Sequence, residues 1–252
     1  MQKQQQQRTM VFGHRGAKKY GPENTIPSFQ KAIDLGADGF ELDTMLSSDG
    51  IPVVIHDRTL ARTTNGSGYV DRKNIKELMR LDAGSWFSES YRGIRIPLLN
   101  DVLHTFGNQT LINIELKNIH SPFDQLPEKV CNLVFKNNLV KKIIFSSFVP
   151  LNLIRIQKII PEAKLALLIF PDLLGKILSI KTLSWIAPDF IHPHYTSCSD
   201  RFITYQHAMG RKINAWTVNG IDLMDSLIRK GIDGIITDDP RLAIEIRDRI
   251  FK

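Results

Sequence analysis

An α/β barrel of eight parallel strands is the fold this sequence predicts, and three observations point to it. Short apolar strand candidates alternate with helical periods from one end of the chain to the other, which is the pattern of βαβ units. The length, 252 residues, is close to the roughly 250 that one such barrel takes. Nine strand candidates reduce to eight, because the link between the second and third is too short for a parallel crossover.

In chain order the strand candidates are 10–15, 38–45, 52–56, 110–117, 142–148, 164–169, 189–195, 212–218 and 233–237. The turn Ser47-Ser48-Asp49-Gly50 makes the second and third an antiparallel hairpin, so the segment ending in His56 folds back over the mouth of the barrel. Helical periods fill the gaps over 25–35, 98–106, 126–137, 151–160, 173–185, 201–209, 221–229 and 242–250. Pro27 and Pro240 suit helix starts, and Gly36, Gly107, Gly210 and Gly231 are read as left-handed residues that end helices. The stretch 58–96 carries turn chemistry at Asn65-Gly66 and a short helical piece at 76–81. It is too long for an ordinary connection, so it is assigned to a lid or entry insertion after the second strand. No repeat or linker divides the chain, and residues 1–252 are expected to form one domain.

Charge and composition exclude several classes. The formal net charge is +7, but the Lys and Arg residues are scattered and no nucleic-acid recognition motif accompanies them. The basic surface is read as a solvated face that also draws in anionic substrates, with no nucleic-acid partner. No apolar run approaches the roughly 20 residues of a membrane span, so integral membrane association is not expected. The Gln-rich start, residues 1–9, has no apolar stretch and reads as a flexible tail rather than a secretory signal. Cys131 and Cys198 match no zinc or redox spacing and are read as free thiols of a cytoplasmic protein. Oligomeric state is not legible.

Chemistry concentrates on four strand segments: Phe12-Gly13-His14-Arg15-Gly16, Phe40-Glu41-Leu42-Asp43, Val54-Ile55-His56-Asp57 and Asn113-Ile114-Glu115-Leu116-Lys117. Residues two apart on a strand share a face, so Glu41 points with Asp43 and Glu115 with Lys117. All fall late in their strands, the end at which barrel enzymes build their sites. Carboxylates crowded together repel and are costly to bury, so a divalent cation among Glu41, Asp43 and Glu115 is expected, with Arg15 and Lys117 beside it to hold an anion. Oxygen ligands favour Mg²⁺ or Ca²⁺. His14 and His56 have the ordinary pKa, about 6.5, that suits acid–base work near neutrality. Trp216, late in strand 212–218, is either an apolar wall of the site or a core tryptophan. Glu23 is assigned to the first turn of the first helix. His192 and His194 share a strand face but find no third nitrogen, so hydrogen-bonded rim positions are expected rather than a second metal site.

The ordered series His14-Arg15-Gly16, Pro22-Glu23-Asn24-Thr25, Glu41-Leu42-Asp43, Asp49-Gly50, Val54-Ile55-His56-Asp57 and Glu115-Leu116-Lys117 resembles the glycerophosphodiester phosphodiesterases. The likeness continues through Arg62-Thr63-Thr64-Asn65-Gly66, Phe145-Ser146-Ser147-Phe148, Ala215-Trp216-Thr217-Val218-Asn219 and Ile236-Thr237-Asp238-Asp239-Pro240, nearly the whole chain. The resemblance implies a TIM barrel with a small insertion after the second strand. It implies a two-step hydrolysis through a cyclic phosphate to an alcohol and glycerol 3-phosphate, with one divalent ion and a glycerophosphodiester such as glycerophosphocholine or glycerophosphoethanolamine as substrate. It leaves open which histidine acts first. Two rival readings stand beside it: lysophospholipase D-like cleavage of a lysolipid, for which the insertion offers Trp86, Phe87 and Tyr91, and a barrel that binds phosphodiester head groups without cleaving them.

Overall fold

A computed structural model describes residues 8–171 and 186–252; the helix expected over 173–185 and most of the expected N-terminal tail lie outside the described residues. The strands are β1 (Met10–Gly13), β2 (Gly39–Leu46), β3 (Pro52–Val54), β4 (Leu111–Leu116), β5 (Ile143–Ser147), β6 (Lys164–Ile169), β7 (Phe190–Pro193), β8 (Lys212–Ala215) and β9 (Gly234–Thr237). The helices between them are α1 (Ile26–Asp34), α2 (Ile75–Leu78), α3 (Leu99–Phe106), α4 (Leu126–Lys136), α5 (Pro150–Ile159), α6 (Asp200–Ala208), α7 (Ile221–Arg229) and α8 (Pro240–Ile250).

Eight strands close in parallel in the order β1-β9-β8-β7-β6-β5-β4-β2, and β1 pairs back onto β2. This is the TIM barrel that the alternation of strands and helices predicts. The ninth strand, β3, is antiparallel to the far end of β2, where Thr44 faces Val54 and Leu46 faces Pro52. Gly50, at φ 75°, turns the hairpin, as the five-residue link 47–51 requires.

Period-two alternation sorts side chains between two layers. Outward residues such as Phe40, Leu42, Ile112 and Ile114 are fully buried against the helices. There Phe29 of α1 stacks on Phe40 at 4.4 Å and meets Phe106 of α3 edge-on. Phe12, Ile144, Ala166 and Ile236 form a smaller cluster, one residue each from β1, β5, β6 and β9, filling the lumen below the strand ends. Above this apolar plug the inward positions turn polar.

Several expectations need correction. Gly36, Gly210 and Gly231 have positive φ, but Gly107 is right-handed at φ −58°; it is glycine for space, since a Cβ there would lie 2.1 Å from Leu139 Cδ1 and 2.6 Å from the Leu103 carbonyl. The tail cannot include Thr9, which is buried and donates its hydroxyl to the Ile232 carbonyl at 2.8 Å. His192 is fully buried in the lumen, where its Nε2 faces Asn214 Nδ2 at 3.1 Å; only His194 is a rim residue, with Nδ1 2.8 Å from the Thr196 hydroxyl. The reason is strand length: β7 ends at Pro193, one residue short of His194.

The insertion has its own small core of Met45, Val53, Ile55, Leu60, Val70, Leu78, Ala83 and Ile96. Its helix, α2, starts on a capping box between Asn74 and Glu77, which satisfies two orphan N–H groups at once. Asp82 accepts backbone N–H bonds from Gly84, Ser85 and Gly93, tying the following loop into a compact unit.

Candidate active site

The polar layer at the strand ends is assembled from β1, β2, β4 and the start of the insertion. Glu41 and Asp43 on β2 and Glu115 on β4 each offer a carboxylate oxygen, and these oxygens lie within 4.8 Å of one another. Parallel pairing puts Asp43 directly opposite Glu115, so register alone brings acids from separate strands together.

Their electrostatics are unequal. Asp43 accepts from Asn24 Nδ2 at 2.8 Å and lies 3.3 Å from Arg15 Nε and 3.6 Å from Lys117 Nζ. Although burial opposes it, those cations hold its carboxyl well below the usual carboxylate range. Among the described residues Glu41 has no cationic side-chain partner within salt-bridge distance; its contact is the backbone N–H of Arg15 at 2.9 Å. Burial, followed by repulsion from Asp43 and Glu115, pushes Glu41 well above its ordinary value. Burial raises Glu115 as well, against the pull of Lys117 at 3.0 Å. Three buried acids and two cations thus leave an excess of negative charge centred on Glu41. An all-oxygen donor set with uncompensated negative charge fits a hard divalent cation. Asn113 adds to this fit: its Oδ1 is buried in the same cavity with no partner among the described residues.

Backbone geometry at the end of β1 aims Arg15 into this layer. Arg15 and Asn24 sit at φ 54° and 57°, a left-handed conformation that costs a side-chain-bearing residue roughly 1–2 kcal/mol. The turn between them is possible because Gly16 has φ 88° and no Cβ, which would otherwise lie 2.5 Å from Ser28 Oγ.

Both histidines are held by carboxylates. His14 Nδ1 is 2.6 Å from Asp238 Oδ1, and His56 Nδ1 is 2.5 Å from Asp57 Oδ1. A carboxylate on Nδ1 favours the tautomer with the proton there, leaving Nε2 as the free nitrogen. Burial lowers both histidines from their ordinary value, against their acidic partners. Asp238 is braced by Asn219 Nδ2 at 2.8 Å. Asp57 is gripped by Arg62, whose Nε and Nη2 lie 2.6 and 3.1 Å from its two oxygens.

Glu23 does not serve the first helix. It is buried and accepts from Arg15 Nη1 at 2.7 Å and from Arg62 Nη2 and Nη1 at 2.7 and 2.9 Å, and α1 has no acidic residue in its first turn. Its two arginines outweigh the burial cost and hold its carboxyl down at about 2. Both lie in motifs on which the resemblance rests, but their pairing with Glu23 is visible only in three dimensions.

A cavity of about 100 Å³ joins these groups: His14, Arg15, Glu41, His56, Glu115 and Lys117 line one side, and Phe148, Leu168, Trp216 and Ile236 the other. Trp216 therefore does stand in the cavity wall, fixed by an Nε1 bond to the His192 carbonyl at 2.8 Å and an edge contact with Phe148. Trp86, Phe87 and Tyr91 stack edge-on against one another and line neither this cavity nor the larger cleft beside it.

A parallel barrel whose strand ends gather acids, facing cations and two carboxylate-held imidazoles defines a class of protein, the TIM-barrel hydrolases of phosphoric diesters. A model of the glycerophosphoryl diester phosphodiesterase family matches residues 14–242, and the chain belongs to that family. It is 38% identical over 243 residues to the glycerophosphodiester phosphodiesterase of Caldanaerobacter subterraneus subsp. tengcongensis, covering 95% of this chain and 98% of that protein. It is 35% identical to that of Bacillus altitudinis, with 96% and 99% covered. Among solved structures, an Oleispira antarctica phosphodiesterase in complex with the product sn-glycerol-3-phosphate superposes with a TM-score of 0.84 at 29% identity, covering 95% of this chain and 96% of that one. The protein is an enzyme, a glycerophosphodiester phosphodiesterase with a small-molecule substrate. Among the described residues no helix is long and apolar enough to cross a membrane.

Proposed function

We propose that this enzyme hydrolyses glycerophosphodiesters to an alcohol and sn-glycerol 3-phosphate in two steps through a cyclic phosphate, with His14 and His56 as acid and base. The observation that carries the reading is the pair of imidazoles, each with Nδ1 tied to a carboxylate, on one small cavity with three convergent acids.

Glu41, Asp43 and Glu115 would hold one divalent cation, Mg²⁺ or Ca²⁺, which when bound would supply positive charge to offset the negative charge building on the phosphoryl oxygens. Arg15 and Lys117 bind the anionic diester and hold it against the acids. Phe148 and Trp216 wall off the glycerol carbons and exclude water from that side. One imidazole Nε2 takes the proton from the glycerol hydroxyl next to the ester as that oxygen bonds to phosphorus. The other protonates the departing alcohol oxygen as its bond to phosphorus breaks. With the roles exchanged, water opens the cyclic phosphate, its proton passing to the second imidazole and the first returning a proton to the glycerol oxygen. The insertion 58–96 acts as a lid that follows directly on His56 and Asp57 and holds Asp57 through Arg62.

The test is release of sn-glycerol 3-phosphate from a glycerophosphodiester, with added Mg²⁺ or Ca²⁺ and with chelator, by the native protein and by His14→Ala and His56→Ala. Loss of release in both variants and with chelator is expected; full activity in either variant overturns the assignment of that histidine. Saturable diester binding without release under either ion would instead identify a binding barrel.

A further inference from the structure

At the end of the barrel opposite the active site, five lysines share one face. Lys136 closes α4, Lys158 lies in the last turn of α5, Lys141 and Lys142 lead into β5, and Lys164 opens β6. Helices of a parallel barrel run back against its strands, so these helix ends and strand starts stand together. Register tightens the group: Lys164 pairs alongside Ile144, two residues after Lys142, and its Nζ donates to the Lys141 carbonyl at 3.1 Å. Residues 128–164 hold seven Lys and Arg against two Glu, a net +5 of the whole chain's +7. Within that stretch Arg155 is bonded to Glu128 at 2.5 and 2.9 Å, while among the described residues none of the five lysines has a carboxylate partner. Two acids flank the face: Glu162, which is exposed, and Asp189, whose Oδ2 accepts the Leu165 N–H at 2.9 Å.

We propose that this face is a docking surface for a lipid bilayer rich in anionic head groups, which it meets with the catalytic mouth turned away toward water. Helix-end electrostatics accounts for Lys136 and Lys158, because a cation suits the negative end of a helix. It does not account for Lys141, Lys142 and Lys164, which stand outside α4 and α5. Like charges held on one face repel one another, and an anionic partner relieves that repulsion. Two features select a bilayer over a nucleic acid. All five cations are lysines, point charges without the guanidinium fork that grips a phosphate bidentately. Beside them Phe135, the residue before Lys136 in α4, is 44% exposed, an aromatic placed to enter the head-group layer while the ammonium groups meet its charge. Each lysine at an anionic bilayer raises affinity by about five-fold, so the group together gives firm but reversible attachment.

The experiment is co-sedimentation of the full-length protein with vesicles of phosphatidylcholine alone and of phosphatidylcholine mixed with phosphatidylglycerol, at low and high salt. Attachment to the anionic vesicles is expected, weak on the neutral ones and released as salt screens the charges. The variant Lys136→Gln/Lys141→Gln/Lys142→Gln/Lys158→Gln is expected to lower the partition coefficient by at least about 100-fold, with its turnover of a soluble diester unchanged. Phe135→Ala is expected to lower it without altering its salt dependence. No attachment to the anionic vesicles at low salt, undiminished attachment in either variant, or an equal loss in the insertion control Arg72→Gln/Lys76→Gln/Arg80→Gln each overturns the proposal. So does tighter binding to a single-stranded oligonucleotide than to the vesicles, which would mark the face as a nucleic-acid surface.

Discussion

Arg62 and Glu23 are joined by two hydrogen bonds, Nη1 to Oε2 at 2.9 Å and Nη2 to Oε1 at 2.7 Å, and through this pair the insertion is locked to the turn that follows β1. On one side Arg62 holds Asp57, the partner of His56; on the other, Glu23 holds Arg15, which faces Asp43. The relay aligns the His56 imidazole and the Arg15 guanidinium with one fork of donors. Arg62→Ala is expected to lower kcat by about 10–100-fold, the usual cost of removing a group that orients the reacting residues, with KM changing less. Arg62→Lys is expected to recover only part, because an ammonium cannot span both carboxylates bidentately. Steady-state kinetics on both variants checks this; a loss below two-fold in Arg62→Ala would show that the relay does not orient the site.

Asp238 bears on the other histidine in the same way. His14→Ala is expected to reduce turnover by about 10²–10⁴-fold, the range for general acid–base groups. Asp238→Asn is expected to fall less, since the imidazole stays in place but loses the carboxylate that sets its tautomer. Equal losses in the two, measured with one diester at saturating substrate, would make Asp238 a catalytic partner in its own right.

The acids predict a pH-dependent ion affinity. Burial and mutual repulsion raise Glu41 and Glu115 above their ordinary values, so without an ion they hold their protons to a higher pH than an ordinary carboxyl does. A cation must displace those protons, and its affinity is expected to rise with pH as they come off. Calorimetric titration with Mg²⁺ or Ca²⁺ at several pH values tests it, and a Glu41→Gln variant is expected to bind more weakly with a flatter pH profile.

His192 sets a stability trend. Burial lowers it from 6.5 to about 3, so below pH 6.5 the unfolded chain takes up a proton that the folded one refuses. Stability conferred by the neutral ring is complete above 6.5 and is lost as pH falls toward 3, at about 1.4 kcal/mol per unit. Between pH 6.5 and 5 the native protein is therefore expected to lose about 2 kcal/mol more than His192→Gln does, as read by urea denaturation. Parallel curves for the two proteins would place the titrating group elsewhere.

Much of the fold was legible because strands buried on both faces and helices buried on one write their periods into the chain. The nine strands, the antiparallel hairpin at Ser47 to Gly50 and the start of α8 at Pro240 follow from local rules. The shared face of Glu41 and Asp43, and the position of Glu115 late in β4, are likewise local facts. Glu23 and Gly107 depart from the helix-end expectation for a common reason: helix-end rules describe a residue's own neighbours, whereas Glu23 is claimed by Arg62 from the insertion and Gly107 by the Leu139 side chain.

Strand periodicity in the chain thus dictates which residues can face the lumen and at which end of each strand they stand. Which of them meet is fixed in three dimensions: Asp238 reaches His14 across 224 positions, and Arg62 reaches Glu23 across 39. Periodicity reports the direction a side chain points along its own strand. The closure of the barrel, through the pairing of β1 with both β9 and β2, brings together residues from the two ends of the chain, and no local pattern carries that information.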